Sequence, residues 1–232
     1  AVAGRLHNAS TQDLRWLPEL LVVVPTFDAD VVQALSLGRK VMEEHGFWHR
    51  FQLAKVAILK KALQDGFQSA LYLDADSFLL APLPSMGHEV LGLSPHLCRS
   101  DLEQRFGMWN GGCVFVRNSA VLDTWLDVAG HARSTCCQDQ TALEDLAALF
   151  PHFSLHPGLN LGWYQLIGSY TRERKDQHKH LKCMATGGDK CRGVYFKGRQ
   201  VISMHLHLSK FPKIAIHLRK VLRECEHPLS GS

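Results

Sequence analysis

The sequence predicts an α/β fold, a Rossmann-like and mostly parallel sheet flanked by helices. Three observations predict it. Short apolar runs alternate with stretches of helical period, no repeat or low-complexity linker breaks the alternation, and the 232-residue chain is 46% apolar and 21% charged, enough to bury a sizeable core. The strand runs are brief and β-rich, the pattern of parallel strands covered on both faces. Length suits one domain over residues 1–232, with a loop-rich insert at about 151–199.

The elements follow in order. Residues 20–25 form a β-branched run closing at Pro25, and 29–44 read as an amphipathic helix ending at His45-Gly46. A second helix is predicted over 51–64, then a buried strand over 70–73 and another over 113–116. Asn118 or Ser119 can cap a helix carrying Val121, Leu122, Trp125 and Leu126, which stops near Gly130. Another helix runs over 139–149. Between 151 and 199 the signal weakens into glycines, a basic run over 172–182 and the aromatic pair Trp163-Tyr164, which reads as an insert beside the site. A strand over 201–208 and an amphipathic helix over 213–224 close the chain.

Charge and cysteine narrow the partners. The net charge of +4 is mild and the basic residues are scattered, so nucleic acid is not implied, although a phosphorylated ligand would be welcome. No apolar run approaches the roughly eighteen residues of a membrane span, and no membrane contact is expected from the chain as it stands. It opens on Ala1 rather than Met, which leaves room for a leader or anchor upstream. Seven cysteines without repeated spacing fit neither a disulfide framework nor a zinc ribbon. His178, His180, Cys183 and Cys191 have irregular spacing for zinc; a Cys183–Cys191 disulfide, or two thiols, is the preferred reading. The sequon Asn8-Ala9-Ser10 favours the secretory lumen, such as the Golgi, over the cytoplasm.

The strongest chemical signal is Leu71-Tyr72-Leu73-Asp74-Ala75-Asp76-Ser77. Two carboxylates at spacing two point the same way in extended chain, and they lie past the end of a strand, where open α/β sheets bind ligands. Hard oxygen donors suit Mn2+ or Mg2+. Such a cation can grip a diphosphate and stabilise the charge gathering on it as a bond to it breaks. The plainer reading of an Asp-x-Asp is a solvated turn.

Its neighbours carry a resemblance. Lys55 stands in Phe51-Gln52-Leu53-Ala54-Lys55 ahead of the Asp-x-Asp; Trp109-Asn110-Gly111-Gly112-Cys113 opens a later strand; Gln138-Asp139-Gln140-Thr141 leads into a helix; and Met204-His205-Leu206-His207 lies late in the chain. In this order the motifs resemble the family eight glycosyltransferases, which include glycogenin, and more loosely the family thirty-four galactosyl- and xylosyltransferases, over roughly residues 51–213. The resemblance implies a GT-A fold, a nucleotide-sugar donor, commonly UDP-linked, a glycan, protein or small-molecule acceptor, and retention of anomeric configuration. It implies donor binding by Lys55, Asp74, Ala75, Asp76, Asn110, Gly111, Gly112, Gln138 and Lys210, and catalytic roles for Asp139 and Gln140. It also implies a histidine as third metal ligand, His205 or its alternate His207. Family members follow that histidine with glycine and Lys-Pro-Trp, whereas Ser209-Lys210-Phe211-Pro212-Lys213 stands here.

Each of these residues has its own chemistry. Along 201–208, Val201, Ser203, His205 and His207 share one face and the other face is apolar; imidazole ligates Mn2+ acceptably beside carboxylates. Lys55 is three or four residues from Phe51, Ile58 and Leu59, so it lies on an apolar helix face and needs an anion, a donor phosphate or Asp74, or a path to water. Asn110 and its glycines allow backbone near a ligand, with the amide reading sugar hydroxyls, or make a simple turn into the strand. Asp139 can face the anomeric centre, oriented by Gln138 or Gln140, or cap its helix. Trp163 and Tyr164 can stack on an acceptor or fill a core. Two other classes compete. A haloacid-dehalogenase-type phosphatase has its Asp-x-Asp near the start of the chain and a later acidic pair, and neither holds here; a non-catalytic nucleotide-sugar-binding domain would not need both aspartates and a late histidine.

Overall fold

The stretch 29–44, expected as one helix, is two in the computed structural model, α1 (Ala29–Leu37) and α2 (Arg39–Glu44). Gly38 between them sits at φ +98, a conformation that glycine enters without steric penalty and that ends the α1 ladder. The structure describes residues 29–96, 103–104, 107–131, 138–162, 165–166, 177–185, 192–205 and 212–226. The run expected as a strand over 20–25 lies outside them.

These residues divide into two units. The first takes the described parts of Ala1–Tyr72, Met86–Leu93 and Trp109–Phe153. It contains α1, α2, α3 (Phe47–Gln64), β1 (Ala70–Leu73), β4 (Trp109–Val116), α4 (Ser119–Gly130) and α5 (Gln138–Leu149). The strand β3 (Leu91–Pro95) joins β1 and β4 in a four-stranded sheet of order β1-β4-β3-β5, with β5 at His152–Ser154. β1 is half-buried rather than buried, whereas every residue of β4 is buried. β4 begins four residues before the expected strand and so takes Asn110-Gly111-Gly112 into the ladder. Val56, Leu59, Leu93, Val114, Leu122, Trp125 and Leu143 form its core. Of the apolar residues expected on α4, Val121, Leu122 and Trp125 are fully buried together with Ala129, whereas Leu126 is exposed.

Of the two possible caps for α4, Asn118 is the one used: its Oδ1 accepts from the Ala120 amide at 2.9 Å, one of the orphan donors of a helix start. Asn118→Ala should lower stability by about 1 kcal/mol, a fall in melting temperature of roughly 2–4 °C at this chain length. Ser119→Ala should be silent in the same thermal melt, and equal losses in both variants would contradict the assignment.

The second unit takes the described parts of Leu73–Ser85, Ser94–Met108 and Ser154–Ser232. Its first sheet has order β2-β10-β6, with β2 at Ser77–Leu79, β6 at Leu161–Gly162 and β10 at Ser203–His205. β10 runs antiparallel to β2, with His205 opposite Ser77 and Met204 opposite Phe78, and parallel to β6. A second sheet, β7 (Leu181–Ala185), β8 (Arg192–Phe196) and β9 (Arg199–Gln200), is antiparallel throughout. Helix α6 (Pro212–Glu226) turns Ile214, Leu218 and Val221 into a core shared with Leu181, Val194 and Met204.

The mostly parallel sheet expected from sequence is therefore realised only in part: the fold is mixed α/β, and in these two sheets β10 with β6 is the one parallel pairing. Antiparallel neighbours can be joined by a tight turn and parallel ones cannot, which accounts for the β8–β9 pairing. Lys197 and Gly198, at φ 50 and 79, make that turn between β8 and β9. The stretch 151–199 accordingly carries five short strands rather than loop alone among its described residues.

Candidate functional site

The chain turns sharply as it leaves β1. The Ser77 amide donates to the Asp74 carbonyl at 2.9 Å, so residues 74–77 form a turn rather than continuing extended. Ala75 faces solvent, while Asp74 and Asp76 are half-buried. Both carboxylates meet the ring of His205: its Nε2 is 3.0 Å from Asp76 Oδ1 and 3.7 Å from Asp74 Oδ2. One ligand atom from each of the three side chains falls within a group no wider than 4.8 Å.

The histidine is delivered by its strand. Ile202 and Ser203 donate their amides to the Gly158 carbonyl at 2.7 and 3.0 Å, and the Ser203 hydroxyl donates to the Leu159 carbonyl. That anchoring buries Met204 completely on one side and aims His205 toward the aspartates on the other, as strand alternation requires. Of the two histidines, His205 stands with the carboxylates, while His207, like Lys210, lies outside the described residues. Two carboxylates and an imidazole, only 13–38% exposed, fit a hard divalent cation by donor chemistry. Among the described residues, Asp74, Asp76 and His205 are the set that fits.

A second cluster lies in the first unit. Lys55, on the buried face of α3 as predicted, has Asp139 as an anionic partner: its Nζ donates to Asp139 Oδ2 at 2.7 Å and to the Gly111 carbonyl at 2.9 Å. The Tyr72 ring lies 5.1 Å away, a cation–π contact that sequence reasoning missed. Side chains of the pair are 10% and 7% exposed, a buried salt bridge. Gly111 makes room for it: a Cβ there would lie 2.8 Å from Asp139 Oδ2 and 3.4 Å from Lys55 Nζ. A side chain at this position would have to displace the ion pair.

Asp139 is also not a helix cap. It is the second residue of α5, its carboxylate is committed to Lys55, and its carbonyl accepts from the Trp125 indole at 2.9 Å. Trp125 was legible only as a core residue; its N–H is what pins the start of α5 to α4. Asn110 is buried, and its Oδ1 accepts from the Gly112 amide at 2.6 Å. Gly112 is buried in β4 beside it. Gln140 is half-buried on α5; the side chain of Gln138, and Trp163 and Tyr164, lie outside the described residues.

Other features hold no expected site residue. A cleft of about 400 Å³ in the first unit is lined by Lys60, Phe67, Arg117 and Asp123 among others, with Lys60 and Asp123 paired at 2.6 Å. Of the four-residue zinc set, His178 is buried edge-on against the His217 ring at 5.5 Å, Cys183 carries a free thiol, and Cys191 lies outside the described residues.

No family model matches this chain, and no curated protein does. Among solved structures it is similar to mouse xyloside xylosyltransferase 1 in its apo form, at 10% identity over 78% of this chain and 71% of that one, with a TM-score of 0.38. A similarity of that size bears no weight on function. The functional reading comes from Asp74, Asp76 and His205.

Proposed function

We propose that the protein is a metal-dependent glycosyltransferase of the GT-A type, moving a sugar from a UDP-linked or similar nucleotide-diphosphate sugar to a glycan, protein or small-molecule acceptor with retention of configuration. The reading is carried by one observation: two aspartates from the turn after β1 and a histidine from β10, far apart in sequence, put their ligand atoms within 4.8 Å. That set matches the one implied by the motif order in the sequence. A phosphatase of the haloacid-dehalogenase type would complete its site with acidic residues, and the third member here is an imidazole.

In this reading Asp74, Asp76 and His205 hold Mn2+ or Mg2+, which when bound neutralises charge on the leaving diphosphate. The half-exposed carboxylates keep one side of the group open to a ligand. In the first unit, Lys55 neutralises Asp139 and both brace the Asn110-Gly111-Gly112 stretch of β4. We assign Asp139 to the sugar side of the reaction, with Gln140 beside it on α5 and with Asn110, Gln138 and Lys210 in donor binding. The lumen of the secretory pathway is the proposed compartment, on the strength of the Asn8 sequon.

The test is a donor screen that measures nucleoside diphosphate release from a panel of nucleotide sugars with Mn2+ present. At least one donor should give release that EDTA abolishes and added Mn2+ restores. Release at an undiminished rate in EDTA would sink the metal-dependent reading.

A further inference from the structure

Ser77 closes the turn that carries both aspartates, and its hydroxyl is out of solvent without a hydrogen-bond partner among the described residues. A buried hydroxyl left unsatisfied is unfavourable by about 1–3 kcal/mol, so such groups normally find a partner. The register says where this one stands. Ser77 is directly opposite His205 in the antiparallel pair of β2 and β10. Directly opposed residues project from the same face of a sheet with their Cβ atoms about 4.5–5.5 Å apart. The orphan hydroxyl therefore shares its face with the imidazole whose Nε2 lies 3.0 Å from Asp76. It also follows Asp76 directly in the chain.

We propose that Ser77 is a fourth member of the cation site, its Oγ serving as an oxygen donor to the cation, directly or through one of its waters. This rests on the reading that Asp74, Asp76 and His205 hold a divalent cation. An alcohol oxygen is a hard, neutral donor, of the kind Mn2+ and Mg2+ accept alongside carboxylates. The proposal accounts for two things at once. A hydroxyl with no protein partner gains one when the cation arrives, and a group of three protein donors gains a fourth from the strand already paired with β10.

The experiment is calorimetric titration of the whole chain with Mn2+ and with Cd2+, without any donor, for the wild type and Ser77→Ala, Ser77→Thr and Ser77→Cys. Removing the oxygen should weaken Mn2+ binding about tenfold or more, a common size for losing a supporting group at a metal site. Ser77→Thr, which keeps the hydroxyl, should retain most of the affinity. Ser77→Cys replaces a hard donor with a soft one and should shift preference from Mn2+ toward Cd2+. A hydroxyl with a purely structural role would not move metal preference. Melting without metal controls for folding: Ser77→Ala should melt no lower than the wild type, since it loses an unsatisfied group. Mn2+ and Cd2+ affinities unchanged in both Ser77→Ala and Ser77→Cys would overturn the proposal while leaving the triad standing. A wild type that binds no Mn2+ would overturn both.

Discussion

Asp74→Asn and Asp76→Asn are each expected to abolish sugar transfer, and the cation's stabilisation of the protein, while leaving the fold standing. The two carboxylates are 27% and 38% exposed, so neutralising one leaves the apolar core untouched. Without metal, relieving the repulsion between neighbouring carboxylates should hold the melting temperature level or raise it. With metal the variants should diverge from the wild type. A cation present at a hundred times its dissociation constant stabilises the state that binds it by about 2.7 kcal/mol, and an amide in place of either carboxylate should forfeit most of that. Turnover should fall at least a hundredfold, about 3 kcal/mol of transition-state stabilisation. His205→Ala should behave like the aspartate variants, and His207→Ala should be milder. An Asp74→Asn protein that still melts higher in Mn2+ by the wild-type margin would remove Asp74 from the site.

The second large effect concerns Lys55 and Asp139. Their side chains are 10% and 7% exposed, and each lies within hydrogen-bond reach of the other at 2.7 Å. Removing one partner of a buried pair leaves the other charge uncompensated, a loss of about 3–5 kcal/mol. Asp139→Ser, which would be harmless were the residue a helix cap, should therefore destabilise the protein heavily, and Lys55→Met should do the same. Replacing both by apolar residues, Lys55→Met with Asp139→Leu, removes the stranded charge and should recover most of the stability. Thermal melts of the three variants check this. Turnover separates the roles: in the double variant it should stay at least a hundredfold low, because the proposed part of Asp139 on the sugar side needs its carboxylate. Recovery of both stability and turnover would reduce the pair to a structural tie.

How much was legible in the sequence follows from how local each signal was. Helices α3, α4 and α6 and the strand before Asp74 announce themselves in a few neighbouring residues, and their positions were readable to within a few residues. Asp74, Asp76 and His205 were named because spacing and strand alternation specify a face. Partners were harder. Nothing in the run around Lys55 says that Asp139 is an anion it meets, because that pairing is decided by the packing of α3, β4 and α5. Gly111 was readable as a close approach, but not what approached. Strands of two or three residues, such as β2, β6 and β10, are too short to display a period, so the sheet that carries His205 was only partly visible.

The descent of these ligands from opposite ends of a long span of chain has a thermodynamic consequence. A cation shared by the turn at residues 74–76 and by His205 would tie together the ends of a loop containing most of the protein, as a cross-link does. Closing a long loop removes conformational freedom from the unfolded chain, and each doubling of its length adds only about 0.6 kcal/mol, so the length itself is no obstacle. β2, β6 and β10 are each three residues or fewer and contribute few ladder bonds of their own. The ligand set would then be a reversible staple across this short-stranded sheet, fastened when the cation arrives and undone by a chelator.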